Sequence, residues 1–206
     1  MDRRGAVAGV ERGRPRDPGN DAAILDAALD LLIERGAGGT SIEGVAQRAG
    51  VAKLTVYRRW RTREDLLMAA LEHARDPDLQ GPPVAGRSLE ELIGHVAALL
   101  SRSRFRALMA RVIGASVDHP KLVTAYTERH LRPRLDALAE VARRAVDDGR
   151  LPPGTDPGVL EDVLASSIGF VLLRGEEEVT AAEVERRLRA LLGHLGYEPP
   201  RQAPPA

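Results

Sequence analysis

No cysteine occurs in this chain, which excludes disulfides, thiolate catalysis and cysteine-ligated metals. Aromatic residues make up only 3% of it, an argument against a broad aromatic-lined pocket. Net charge is lacking too. Lys plus Arg and Asp plus Glu stand at 30 each, so overall charge selects no partner, and any nucleic-acid or membrane reading must rest on local clustering. Lysine is nearly absent, with Lys53 and Lys121 alone among arginines. The longest apolar run, Ile168 to Leu173, falls far short of the roughly 20 residues that span a bilayer. The N-terminal MDRRGAVAGVERGRPR has no apolar stretch of the secretory kind. A soluble, cytoplasmic protein without cofactor is expected.

What is present is helical periodicity punctuated by Gly and Pro, with no strand-like alternation. Residues 1–18 are polar and unpatterned and read as a flexible basic arm. From Asn20, apolar Ile24, Ala27, Ala28, Leu31 and Leu32 recur at helical spacing until Gly36. Thr40 and Glu43 have capping-box spacing for a second helix, which Gly50 ends. A third short helix is expected over Ala52 to Trp60, and Thr62 with Asp65 opens a fourth. Residues 76–86, DPDLQGPPVAG, read as a linker. Beyond it, helices are expected over Ser88 to Ser101, Arg104 to Val117 and Pro120 to Asp148, the last interrupted at Pro133. Asp156 and Pro157 open a helix to about Arg174, and a final helix runs from Ala181 to Leu195. The expected fold is all-α, with a helix-turn-helix domain over 19–75, a second helical domain over 87–196, and a disordered tail over 197–206.

Two short helices joined by a Gly-containing turn match a helix-turn-helix, whose second helix enters the major groove of DNA. In VAKLTVYRRW, Val51, Val56 and Trp60 can anchor that helix inward. Lys53 suits guanine or a phosphate, and Leu54 a thymine methyl. Thr55, Tyr57, Arg59 and Arg63 suit phosphate contacts. From Gly44 to Arg63 the basic residues Arg48, Lys53, Arg58, Arg59, Arg61 and Arg63 meet no acid in sequence, which is the local positive surface a phosphate backbone requires. Upstream, RGRPR carries the Gly-Arg-Pro core of a minor-groove arm, with Arg12, Arg14 and Arg16 as its candidate contacts. An ordinary Arg-rich leader is the alternative.

The stretch RGAGGTSIEGVAQRAGVAKLTVYRRWRTREDLL, Arg35 to Leu67, resembles the DNA-binding domain of the TetR family of bacterial transcriptional regulators. The TSIEGVAQRAGV block, the Thr-Val-Tyr-x-x-Trp helix and the T-x-E-D-L-L opening carry the resemblance. It implies DNA contacts at Thr40 and Ser41 as well as at Lys53, Leu54, Thr55, Tyr57, Arg59 and Arg63. Two departures stand out: Ala52 replaces a frequent capping Ser, a loss of about 1 kcal/mol, and Leu54 replaces a small residue or Pro. The resemblance also implies an effector pocket for an unknown small molecule among the middle helices. Leu92, His95, Leu99 and Met109 are candidate lining residues, with Ile113, Tyr126, His130 and Phe170. Core packing is the alternative for each.

The last two helices are apolar over more than one face. Leu160, Val163, Leu164, Ser167 and Val171 on the first, with Leu188, Leu191, Leu192 and Leu195 on the second, are expected to form a two-fold dimer interface, with core packing alone as the alternative. Such a homodimer would place its two recognition helices in successive major grooves, about 34 Å apart. The expected function is therefore a ligand-responsive repressor that binds a palindromic operator. A rival is a helical interaction protein that keeps the fold without specific DNA binding. An enzyme is disfavoured, because no metal, phosphate-loop or nucleophile motif is present. Asp118, His119, Glu128 and His130 lie close in sequence, yet Glu128 and His130 are two apart and point away from each other on a helix.

Overall fold

The structure, a computed structural model, describes residues 18–74, 87–173 and 178–199. All regular structure among them is helical. The expected arm, the 76–86 linker and the last residues of the tail lie outside the described residues.

The first helix, α1 (Pro18–Gly39), buries Ile24, Ala28, Leu31 and Leu32. Its regular course ends at Gly36, where φ is 72° and ψ 176°, a conformation essentially reserved for glycine. The carbonyls exposed by that ending are satisfied from elsewhere. Arg111 donates from Nε to the Ile33 carbonyl at 2.9 Å and from Nη2 to that of Glu34 at 3.1 Å. Thr40 donates its hydroxyl to the Gly36 carbonyl at 2.8 Å.

Next come α2 (Ile42–Arg48), α3 (Lys53–Tyr57) and α4 (Arg63–His73). The expected capping box of α2 is not formed. Ser41 is the N-cap, accepting from the Gly44 amide at 3.1 Å, because Thr40 is buried and engaged with Gly36. The Thr62–Asp65 capping box on α4 is present, and Ala52 caps α3 with no side-chain hydrogen bond. Gly50 (φ 67°) turns the chain between α2 and α3, with the Val51 amide bonding back to the Ala46 carbonyl at 3.0 Å.

The second half holds α5 (Leu89–Ser101), α6 (Ser103–Gly114), α7 (Pro120–Tyr126), α8 (Arg132–Asp147), α9 (Pro157–Leu173) and α10 (Ala181–His194). The single helix expected over 120–148 is split by a π-helical turn, Thr127–Leu131. Pro133, in the first turn of α8, has no N–H to continue the ladder, so a widened turn absorbs the break. The α9 N-terminus is capped as expected, with Asp156 accepting from the Gly158 amide at 2.8 Å.

Two apolar cores result. One gathers Leu32, Val45, Val56 and Leu66 together with Leu108 and Val112 of α6 and Leu122 of α7. The other joins α5, α8, α9 and α10 through Ile93, Val141, Leu164 and Leu188. Phe105 and Leu172 pack against both. The first core therefore reaches beyond residues 19–75, and α6 shares it with α1–α4. At the other end, Tyr197 is buried and donates its hydroxyl to Glu90, so ordered structure extends one step into the expected tail.

Gly36 and Gly94 provide opposite tests of the backbone. A Cβ at Gly36 would meet nothing closer than 3.9 Å, and one at Gly94, within α5, nothing within 4 Å. Gly36→Ala should therefore destabilise through backbone strain alone, by about 1–3 kcal/mol. Gly94→Ala should stabilise by roughly 0.5–1 kcal/mol. Urea unfolding of the two variants checks both signs.

Candidate nucleic-acid interface

Burial divides α3 into two faces. Val56 is fully buried, and Val51 and Trp60 pack beside it against the first core. On the other side Leu54 is 68% exposed and Tyr57 39%. An exposed leucine and tyrosine on a five-residue helix serve no core. Lys53 lies beside them, its ammonium 5.4 Å from the centre of the Tyr57 ring, a cation–π contact that steadies both. Lys53, Leu54 and Tyr57 thus form one outward surface, flanked by the exposed Ser41 at the start of α2 and by half-buried Thr55.

The cations are not as free as the sequence implies, because acids from other helices reach them. Arg48 makes a two-pronged bond to Glu34 at 2.7 and 2.8 Å. Lys53 pairs with Glu43. The hydrogen bond from Arg48 holds the Glu34 carboxyl below its usual range, and that from Lys53 does the same for Glu43. Arg59 bonds to Asp21 and, at 3.1 Å, to the Thr55 carbonyl, tying the end of α3 to α1. Arg63 meets Glu64 at 3.1 Å and His119 Nδ1 at 3.4 Å. Among the described residues, Arg58 and Arg61 are exposed and have no acidic partner. They were counted in the basic cluster but given no role; only the pairing pattern singles them out.

Several expected positions are relocated. Thr40 is 1% exposed, so its side chain is a bridge to α1 and does not face a duplex. Arg12, Arg14 and Arg16 lie outside the described residues. Of the expected pocket, Met109, Tyr126 and His130 do come together: the Tyr126 hydroxyl donates to the Met109 sulfur at 3.1 Å, and its ring centre is 5.3 Å from that of His130. Burial raises the Tyr126 hydroxyl above its ordinary range. Leu92, His95 and Leu99 are half-buried on α5. Ile113 and Phe170 are 40% and 55% exposed, so they face outward. His130 is buried and Glu128 exposed, and no three His, Asp or Glu side chains gather as metal ligands among the described residues.

The expected dimer face also divides. Leu160, Leu164, Val171, Leu188 and Leu192 are buried in the chain's own second core and cannot meet a partner. Val163, Ser167, Leu191 and Leu195 are half-buried. The apolar surface that α9 does expose is Val159, Phe170 and Leu173. The spacing shows an apolar surface on α9 wider than one face, and the residues expected at the interface are largely those that turn inward.

Comparison with known proteins gives the same outline. A family profile described as bacterial regulatory proteins, tetR family, matches residues 24–70. A second, the tetracyclin repressor-like C-terminal domain, matches residues 86–191. The HTH-type transcriptional regulator YdeS of Bacillus subtilis, itself uncharacterised, is 31% identical over 176 residues, covering 84% of this chain and 88% of that one. Among solved structures, NalD of Pseudomonas aeruginosa, the secondary repressor of a multidrug efflux pump, superposes with a TM-score of 0.70 at 22% identity, over 88% of this chain and 98% of its own. A Saccharomonospora viridis protein in complex with choline has the same TM-score, 0.70, at 18% identity, over 89% and 100%. With its helix-turn-helix and its C-terminal half both matched, the chain belongs to the TetR family of bacterial transcriptional regulators.

Proposed function

We propose that two copies of this chain bind an inverted-repeat operator, each inserting α3 into a major groove, and that a small molecule bound in the C-terminal half weakens that binding. The observation that carries the reading is the exposed Lys53–Leu54–Tyr57 surface on a helix whose opposite side is locked by Val56. Lys53 reads a base edge or phosphate, Leu54 a thymine methyl, and Arg58 and Arg61 meet phosphates. Arg12, Arg14 and Arg16 extend the contact into the adjacent minor groove.

The second copy is proposed to dock on α9. Val159, Val163, Ser166, Phe170 and Leu173 follow one another at steps of four, three, four and three residues. That spacing is the apolar seam by which helices pair. It faces away from the inner residues Leu160, Leu164 and Val171. The effector is proposed to bind near Met109, Tyr126 and His130, beside the π-helical turn. Arg129 of that turn bonds to Glu72 of α4 at 2.9 Å, a connection to the helix that begins at Arg63. An effector acts only through its differential affinity for the DNA-competent and incompetent arrangements.

Selection from a random duplex pool should return an inverted repeat with fixed half-site spacing; no enrichment from effector-free protein would overturn the reading. On the selected site, Arg61→Ala should weaken binding evenly across sequences and reduce the salt slope by about one per half-site. Leu54→Ala should instead relax the preference at a single base pair. Fluorescence anisotropy over a salt series separates the two. For the dimer, Phe170→Asp should shift sedimentation to the monomer and weaken operator binding by at least about ten-fold, roughly 1.4 kcal/mol, while helix content by circular dichroism stays unchanged.

A further inference from the structure

A cavity of about 190 Å³ lies on the second core, where the start of α5, the end of α8 and the residues after α10 converge. Leu89, Val141 and Ala145 are buried at its base. Around them stand three arginines, Arg87 just before α5 and Arg144 and Arg150 around the end of α8, with Asp148 as the one carboxylate in the lining. The arrangement is set by backbone: Gly149 (φ 71°) turns the chain at the end of α8, and the Arg150 amide bonds back to the Ala145 carbonyl at 2.8 Å.

The chain itself engages the three guanidinium groups to different degrees. Arg144 donates one bond, to the Arg87 carbonyl, at 3.3 Å. Arg150 approaches Asp148 at 3.6 Å, too far for a hydrogen bond, and its guanidinium also interacts with the Tyr197 hydroxyl and the Glu90 carboxylate. The Arg87 side chain has no hydrogen-bond or ion-pair partner among the described residues. Glu90 lies behind Tyr197 and accepts the hydroxyl of that residue. Burial and the Glu90 carboxylate push the Tyr197 hydroxyl up to about 12, so it remains a donor to Glu90. The lining itself holds three arginines against the one carboxylate of Asp148, with Glu90 behind Tyr197 and Glu91 on the Ser88 amide just outside it.

We propose that this cleft binds a small oxyanion, a carboxylate or a phosphate, held by Arg87, Arg144 and Arg150. Guanidinium groups offer paired N–H donors in a plane that matches such anions. The volume is below the roughly 300 Å³ at which drug-sized pockets begin, so the ligand is a compact anion or the anionic end of a longer molecule. The site is distinct from the Met109–Tyr126–His130 group and does not depend on the DNA-binding reading.

Calorimetric titration of the full-length protein with inorganic phosphate, and separately with succinate, tests the proposal at constant ionic strength set by chloride. Saturable binding of one probe per chain is expected. Preference for phosphate would identify a phosphate group as the natural ligand, and preference for succinate a carboxylate. Arg87→Gln and Arg144→Lys should each weaken binding by roughly ten-fold with circular dichroism unchanged. Lys121→Ala, at an exposed cation of α7 remote from the cleft lining, should leave it intact. Failure of both probes to bind beyond the chloride background, or binding unaffected by Arg87→Gln, would overturn the proposal and leave the arginines as stems packed over an apolar floor.

Discussion

A helix of five residues does not persist alone in water, because nucleation costs more than so few backbone bonds return. The existence of α3 therefore depends on the burial of Val56 against α1, α2 and α4. Everything outward on α3 inherits its position from that one anchor. The same core includes residues of α6 and α7, and Arg111 of α6 closes the carbonyl end of α1. The reading surface is consequently supported by both halves of the chain, and α6 belongs to the DNA-binding unit as much as to the domain that follows it.

The backbone punctuation was largely legible in the sequence. Gly36 and Gly50 mark helix ends because each occupies a conformation that a side chain resists. The Thr62–Asp65 box and the Asp156 cap follow from local spacing alone. Ser41 and Thr40 illustrate the limit of that method. They are adjacent hydroxyls of similar capping ability, and the choice fell to Ser41 only because Thr40 is drawn to the Gly36 carbonyl. The interruption before Pro133 was foreseeable, but its form as a π-helical turn was not.

Contacts between elements were much less legible. Arg59 meets Asp21 and Arg48 meets Glu34 because helix faces come together, whereas periodicity records only which residues share a face. Reading Gly44 to Arg63 as acid-free was correct along the chain and incomplete in space. The same limit explains α9: two apolar stripes are visible in sequence, but which one turns inward depends on α8 and α10. The same limit applies to Arg87, which meets Arg144 and Arg150 only because the start of α5 packs beside the end of α8.

The paired cations give the DNA-facing surface an internal competitor. In the proposed complex, a phosphate approaching Lys53 would have to displace Glu43, leaving that carboxylate next to a second negative charge. Random duplex therefore gains little from these side chains, while a site that also satisfies Leu54 and Tyr57 can compensate for the exchange. In the proposed complex these acids would act as a filter, shortening visits to unrelated sequence.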